Sequence, residues 1–473
     1  FKAWQRDKQW LSQLLSPLQP LIAHPANLLA DYAGAGEPVD GSNGAVEATA
    51  PAGNEGSDAP TTSQVPGRRG RPPKPQATDL SLAADTTSVV QLGPRAPAAP
   101  SPQEIAAAEP FPVHIGMSVD GRPIAWDPYR APPNHLNNAS VLVTGDAGSG
   151  KTQTIRVLID AACREGLSVT LFDFKADYCD PQFAGPLGIQ VVDVRATGLP
   201  FNPLQPPPRG ASGVQPIEHA YELAGVLSRV FRLGPVQQGL LRDAIAAVYT
   251  DAGIAPREWI DPAGVAWPSF DAVVARLRDV KGAAALVTKL SQLTDLGLFP
   301  ASDGKIGSFE AFINARVCLK LSDLPGDDIK SALAELIIIQ LHGFALRGDQ
   351  PRRLKRVMVF DEAHRVKDSQ RLESLAREGR AFGVGIVIGT QFPGDIPEQL
   401  AGNLATQLFL MNNQAAHRKF VAGQLLGTTS GREGSAMMEK LGNLKPLEGV
   451  FTNAHYSGGV FLTIMPHYQR MAA

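Results

Sequence analysis

Gly145-Asp146-Ala147-Gly148-Ser149-Gly150-Lys151-Thr152 is the stretch that decides the reading of this chain. It satisfies the pattern G-x-x-x-x-G-K-[ST]. Its flanks suit that pattern, with the apolar run Val141-Leu142-Val143 before it and a helical segment after it. Glycines at these positions let successive backbone N–H groups curl around phosphate oxygens, and the helix N-terminus adds a favourable dipole. In such a loop Lys151 reaches the β and γ phosphates and the Thr152 hydroxyl ligates magnesium. The expected nucleotide-binding residues are therefore Gly145, Asp146, Ala147, Gly148, Ser149, Gly150, Lys151, Thr152 and the adjoining Gln153, with ATP and magnesium as the ligands.

Working outward, Val357-Met358-Val359-Phe360-Asp361-Glu362 reads as a buried strand ending in two carboxylates. Asp361 is placed to hold magnesium through its water shell. Glu362 is placed as the general base that polarises the attacking water, a role that needs a carboxylate within hydrogen-bond reach. A third apolar run, 384–389, delivers Thr390 and Gln391, and Gln391 is expected near the γ phosphate. Upstream of that run, Arg377 and Arg380 stand at the end of a helical segment, where a cation could project into a neighbouring subunit's site as an arginine finger. For each arginine an ordinary helix-end charge is an equal alternative. Asp173 and Lys175 follow another strand on the same sheet edge and face the nucleotide or the translocation path, or serve only their own loop.

These runs belong to a wider alternation. Short β-branched segments at 141–144, 168–174, 317–321, 357–361, 384–389 and 407–411 alternate with helical patterns, the signature of a parallel sheet with crossover helices. A tight Asp120-Gly121 turn inside 113–126 predicts a β-hairpin ahead of the sheet. A long helical insert, longer than a minimal nucleotide-binding fold needs and read as a subdomain or lid, is expected at about 216–298.

The rest of the chain is read from composition. Residues 1–33 carry Trp4, Trp10, Leu11, Leu14, Leu15 and Leu18 at helical spacing before prolines break the pattern, as in the remnant of an upstream helical region. Phe1 in place of an initiating Met predicts a piece of a longer chain. Residues 34–105 are rich in Ala, Gly, Pro, Ser and Thr, too poor in large apolar groups to offset the entropy of ordering, and read as a disordered linker. Inside it, 67–75 resembles an AT-hook, with Arg68, Arg69 and Arg71 as candidate minor-groove contacts. A charged, Pro-rich spacer that binds nothing fits that segment equally well.

Over 473 residues the formal charge is only -2, so any DNA contact must be concentrated in a local patch. Cys163, Cys179 and Cys318 are widely spaced, without a Cys-x-x-Cys pair, and read as thiols of a reducing cytoplasm. No apolar stretch reaches membrane-spanning length.

Taken together, 115–126, 144–152, 171–178, 317–325, 357–364 and 375–397 resemble the HerA/FtsK superfamily of DNA pumps, in particular the HerA-like branch, over about residue 113 to the C-terminus. The more specific part is Arg377-Glu378-Gly379-Arg380-Ala381-Phe382-Gly383 followed by Gly389-Thr390-Gln391-Phe392-Pro393. Pro200-Phe201-Asn202-Pro203-Leu204 is similar to a segment of HerA-like proteins of DNA-modification-dependent defence systems, such as the phosphorothioation-dependent restriction protein DptH. The resemblance implies an α/β fold: a RecA-like P-loop NTPase with a mostly parallel central sheet, a helical insert and an N-terminal disordered linker. The ATPase domain would then occupy 106–473.

It further implies an ATP-driven translocase or helicase motor, a homo-oligomer and most simply a hexamer, with duplex DNA as partner, in anti-phage defence or DNA processing. Residues 1–110 depart from HerA proper, which carries an N-terminal β-barrel. Two other readings stay open: an ATP-gated oligomeric scaffold for an associated nuclease, and a conjugation- or secretion-type ATPase. Asp361-Glu362-Ala363-His364 also spells the box of superfamily 2 helicases, but those need a second RecA-like domain for which the chain after His364 leaves little room.

Overall fold

The computed structural model describes residues 111–130, 136–199, 201–207, 213–299, 309–345 and 353–470, all within the unit Leu92–Ala473. The helical remnant of 1–33, the linker of 34–105 with Arg68, Arg69 and Arg71, and Pro200 lie outside the described residues.

The expected hairpin is present as β1 (Val113–Ser118) and β2 (Pro123–Trp126), paired antiparallel, with Gly121 at φ 73° in the turn. The remaining strands are β3 (Val141–Thr144), β4 (Ser168–Asp173), β5 (Gln190–Asp193), β6 (Arg316–Lys320), β7 (Arg356–Asp361), β8 (Val384–Thr390), β9 (Thr406–Leu410), β10 (Glu448–Thr452) and β11 (Val460–Ile464). All six runs read from the sequence are strands, within a residue at each end. Among the described residues the strands form one sheet in the order β2-β1-β11-β10-β9-β3-β8-β7-β4-β6-β5. From β9 to β5 neighbours pair in parallel; from β9 outward through β10, β11, β1 and β2 they pair antiparallel. The sheet is therefore mostly parallel, as expected, with an antiparallel wing that the sequence reading had covered only in its hairpin.

Alternation along the strands explains the two cores. In β7, Met358 and Phe360 point into one hydrophobic cluster while Val357 and Val359 point into the other. This is the period-two pattern of a sheet covered on both faces. One face is covered by α1 (Lys151–Arg164), which buries Ile155, Leu158 and Ile159. The other face carries the insert, α2 (Pro216–Val230), α3 (Pro235–Asp251), α4 (Phe270–Arg278) and α5 (Ala284–Asp295), together with α6 (Asp327–Ala345) and α7 (Gln370–Glu378). The insert shares that face's core and is no detached lid: Leu223, Leu227, Tyr249 and Leu290 bury with Phe172, Phe360 and Ile388 of the strands. Two buried polar groups fix the docking of α6. Ser369 donates to Glu335 at 2.9 Å, with Arg229 at 3.5 Å, and Gln340 donates to the Gln205 carbonyl at 2.6 Å. Both polar side chains are thus satisfied inside an apolar layer. Two further helices, α8 (Ala415–Leu426) and α9 (Gly431–Gly442), follow β9.

Candidate functional site

Parallel pairing brings the carboxyl ends of four neighbouring strands level. Thr144 of β3 pairs with Thr390 of β8, Gly389 of β8 with Asp361 of β7, and Asp361 with Asp173 of β4. The glycine-rich loop, Asp361-Glu362, Thr390-Gln391 and Asp173-Lys175 all leave the sheet at this edge, where ligands of open α/β sheets bind. A cleft of about 440 Å³ lies there, lined by Gly148, Gly150, Lys151, Thr152, Gln153, Lys175, Asp361 and Gln391, among others.

The glycine-rich loop has the backbone its sequence calls for. Gly145, Gly148 and Gly150 sit at φ 152°, 78° and 105°, a region closed to most side chains. A Cβ on Gly145 would stand 2.5 Å from Ser149 Oγ and 2.9 Å from Leu410 Cβ, so the loop is closed at its base as well. Gly150 caps α1 without any side-chain hydrogen bond, which leaves the first helical amides open to an anion. Lys151 folds over the loop, donating to the carbonyls of Gly145 (2.7 Å) and Asp146 (3.0 Å). Burial lowers its pKa, and Asp361 is the nearby charge that most opposes this. Ser149 Oγ is buried with no partner among the described residues. These features fit a phosphate chain, the strongest acceptor that such a set of amides and one ammonium could receive.

Opposite the loop, Asp361 and Glu362 end β7. Asp361 is buried, and burial raises its carboxyl pKa; the hydrogen bond from Tyr178 Oη (2.8 Å) opposes that rise. A carboxylate oriented this way and facing Thr152 across the cleft fits a hard divalent cation. Glu362 stands at φ 108°, ψ 53°, a left-handed conformation costing a non-glycine residue about 1–3 kcal/mol and typical of functional positions. Its backbone N–H donates to the Gly389 carbonyl at 3.1 Å, which fixes the turn. Its side chain is held by an ion pair with Lys175 and lies 3.4 Å from His364 Nδ1. Gly389 must be small: a Cβ there would meet Asp361 Oδ1 at 2.4 Å and Ile155 Cδ1 at 2.9 Å.

The two open readings of the strand β4 loop separate. Asp173 turns into its own loop, accepting from the amides of Lys175 (3.2 Å), Asp177 (3.0 Å) and Tyr178 (2.8 Å), whereas Lys175 faces the cleft. Gln391 lines the cleft, and its carbonyl accepts from Asn412 Nδ2 at 3.2 Å. Arg377 and Arg380 are not brought to it. Arg377 pairs with its neighbour Glu378 at 2.8 Å, and Arg380 donates to the Asn137 carbonyl at 2.8 Å, at the amino ends of β3 and β8. They stand at the opposite edge of the sheet from their own chain's cleft.

Four contributing residues carried no signal in the sequence. Tyr178 looked like an ordinary aromatic of a loop. Pro446 and Leu447, far along the chain, close one wall of the cleft, and Leu447 N donates to the Ser149 carbonyl at 2.9 Å. Leu447 itself is held at φ 66° while its side chain packs on Gly150. His417 accepts from or donates to Thr144 Oγ1 at 3.1 Å beneath the loop, and burial pushes its pKa down to about 4.

Residues 129–213, which span β3, the glycine-rich loop, α1 and β4, match the family model described as helicase HerA, central domain. The chain has a RecA-like P-loop fold. VirB4 of Thermoanaerobacter pseudethanolicus shares that fold at a TM-score of 0.61 and 20% identity, over 76% of this chain and 98% of that one. The plasmid coupling protein TrwB, solved with ADP and Mg2+, is similar at a TM-score of 0.50 and 14% identity, over 74% and 89%. No curated protein matches the sequence. Within this chain the family match falls on the glycine-rich-loop half of the cleft, and the carboxylate half is supplied by β7 and β8 outside it.

Proposed function

We propose that this chain hydrolyses ATP with magnesium and couples the cycle to movement along duplex DNA, as one subunit of a ring. The observation that carries the proposal is the convergence of Lys151, Thr152, Asp361 and Gln391 on one cleft at the carboxyl edge of the sheet, with Glu362 tied to it through its ion pair with the cleft residue Lys175. Lys151 and the loop amides bind the phosphates; Thr152 and Asp361 would hold magnesium. The cation's chemistry is to neutralise charge developing on the β and γ phosphates. Glu362 accepts the proton of the attacking water, and Gln391 orients that water or senses the γ phosphate.

The placement of the arginines supports assembly. Arg377 and Arg380 cannot serve their own cleft, so an arginine finger from this chain acts in a neighbour's site, and a hexamer is the simplest ring that repeats such a contact. Two arms discriminate the readings. Steep stimulation of ATP turnover by duplex DNA supports the motor; indifference to DNA supports an ATP-gated scaffold for an associated nuclease. A conjugation-type role is the second reading, favoured by the likeness to VirB4 and TrwB. No helix among the described residues is long and apolar enough to cross a membrane. Roles in anti-phage defence, including one like that of DptH, and an AT-hook contact through Arg68, Arg69 and Arg71 are further parts of the proposal that a cytoplasmic location would suit.

A further inference from the structure

Behind the catalytic carboxylates, three potential ligand atoms meet. Cys179 Sγ lies 3.1 Å from Asp173 Oδ2 and 3.5 Å from Cys318 Sγ, and Cys318 Sγ lies 3.8 Å from the same carboxylate oxygen. Cys318 is buried in the middle of β6, Asp173 ends β4, and Cys179 is half-buried in the loop that follows. Around a tetrahedral zinc with bonds of about 2.3 Å to sulfur and about 2.0 Å to oxygen, sulfur–sulfur edges are about 3.8 Å and sulfur–oxygen edges about 3.5 Å. The triangle here is within a few tenths of an ångström of one face of that tetrahedron.

Two more observations point to a built site. The Asp173 carboxylate is oriented by three backbone amides, the outer-shell support that metal-ligating carboxylates ordinarily have. The two sulfurs are soft donors, and such a mixed sulfur–oxygen set selects zinc over the magnesium of the nucleotide cleft. The sequence hid this because Cys179 and Cys318 are far apart in the chain and come together only through the pairing of β4 with β6.

We propose that Asp173, Cys179 and Cys318 bind one zinc ion, with water completing the tetrahedron. Binding replaces two S–H bonds by two S–Zn bonds and releases two protons per ion; nothing is oxidised or reduced. The ion would close the ends of the loop that carries Lys175 and Tyr178, and these touch Glu362 and Asp361. The zinc therefore acts as a clamp on the residues that position both carboxylates, and the proposal holds whether or not the chain moves DNA.

The test uses the full chain without an affinity tag, stripped with a chelator, kept reduced, and titrated with zinc against a chromophoric competitor. One zinc is expected per chain with two protons released, and cobalt in its place should give a thiolate charge-transfer band. Cys179→Ser and Cys318→Ser should each lose that equivalent, while Cys163→Ser, at a buried cysteine outside the cluster, should keep it. No stoichiometric uptake by the parent chain would overturn the assignment. So would undiminished uptake in the Cys179 and Cys318 variants, or recovery of a Cys179–Cys318 disulfide in place of metal. The cobalt spectrum of the parent chain decides the matter even if a serine variant fails to fold.

Discussion

Tyr178 donates its phenolic hydroxyl to Asp361 Oδ2 at 2.8 Å, joining the loop after β4 to the acidic end of β7. Both groups are buried, and the phenol's pKa is raised well above its usual value by burial and then by the adjacent carboxylate, so it stays a donor throughout the working pH range. The bond orients the carboxylate assigned to magnesium and offsets part of the cost of burying it. Tyr178→Phe is expected to raise the magnesium concentration needed for half-maximal ATP turnover by roughly 10- to 100-fold, the usual loss when an outer-shell partner is removed. A magnesium titration of turnover checks this, and an unchanged midpoint would assign the bond to packing alone.

Lys175 and Glu362 make the second relationship to test. The ion pair holds the proposed base, and a γ phosphate in the cleft would compete with it for the lysine. Lys175→Ala is expected to lower kcat by at least about 10-fold while nucleotide affinity changes less. Steady-state kinetics with a parallel binding measurement separate the two effects.

At Gly389 the constraint is steric. Gly389→Ala places a methyl group 2.4 Å from Asp361 Oδ1, and the carboxylate must move. Turnover should fall by on the order of 100-fold, as misplacement by about 1 Å does elsewhere. The fold should persist, with the melting temperature lowered by a few degrees; overpacking of this kind costs about 1–3 kcal/mol.

His417 supplies a pH dependence. Its folded pKa is depressed to about 4 by burial, so the folded state disfavours the proton that the unfolded chain takes up below about 6.5. The sign follows: this contribution is fully present above the unfolded value and is lost as pH falls from about 6.5 toward 4, amounting to about 3 kcal/mol. Denaturant melts between pH 7 and pH 4 should show that loss, and His417→Gln should flatten it.

Arg377 and Arg380 call for mixed assemblies. Subunits carrying Arg380→Ala, mixed with subunits carrying Lys151→Ala, should regain part of the parent turnover if the finger acts between chains. An arginine finger is worth on the order of 10³ to 10⁵ in rate where one exists, so even partial rescue is measurable. Absence of rescue with both arginine variants would place neither in trans.

Much of this was legible in the sequence, and the reason is physical. A parallel strand buried on both faces reads as a continuous apolar run, and Val141-Leu142-Val143 and Val357-Met358-Val359 end at the residues proposed for the chemistry because the cleft opens at that sheet edge. The loop glycines were legible because their backbone angles strongly favour glycine. What was hidden depends on tertiary approach. Strands β10 and β11 are short and only partly buried along their length, so their pattern is weak. Leu447 is an unexceptional leucine until β10 brings it onto Gly150, and Asp173 could not be told from a cleft residue until its loop was seen to fold back onto it. The insert looked like a lid by its length alone, whereas its leucines bury with the strands.

The central claim is that triphosphate held by Lys151 and the loop amides is cleaved by water that Glu362 activates. Its most direct test is phosphate release by Glu362→Gln, measured with nucleotide binding in the same assembled sample with magnesium. The account predicts binding within about threefold of the parent and release slowed by roughly 10² to 10⁴. Release at the parent rate would contradict it.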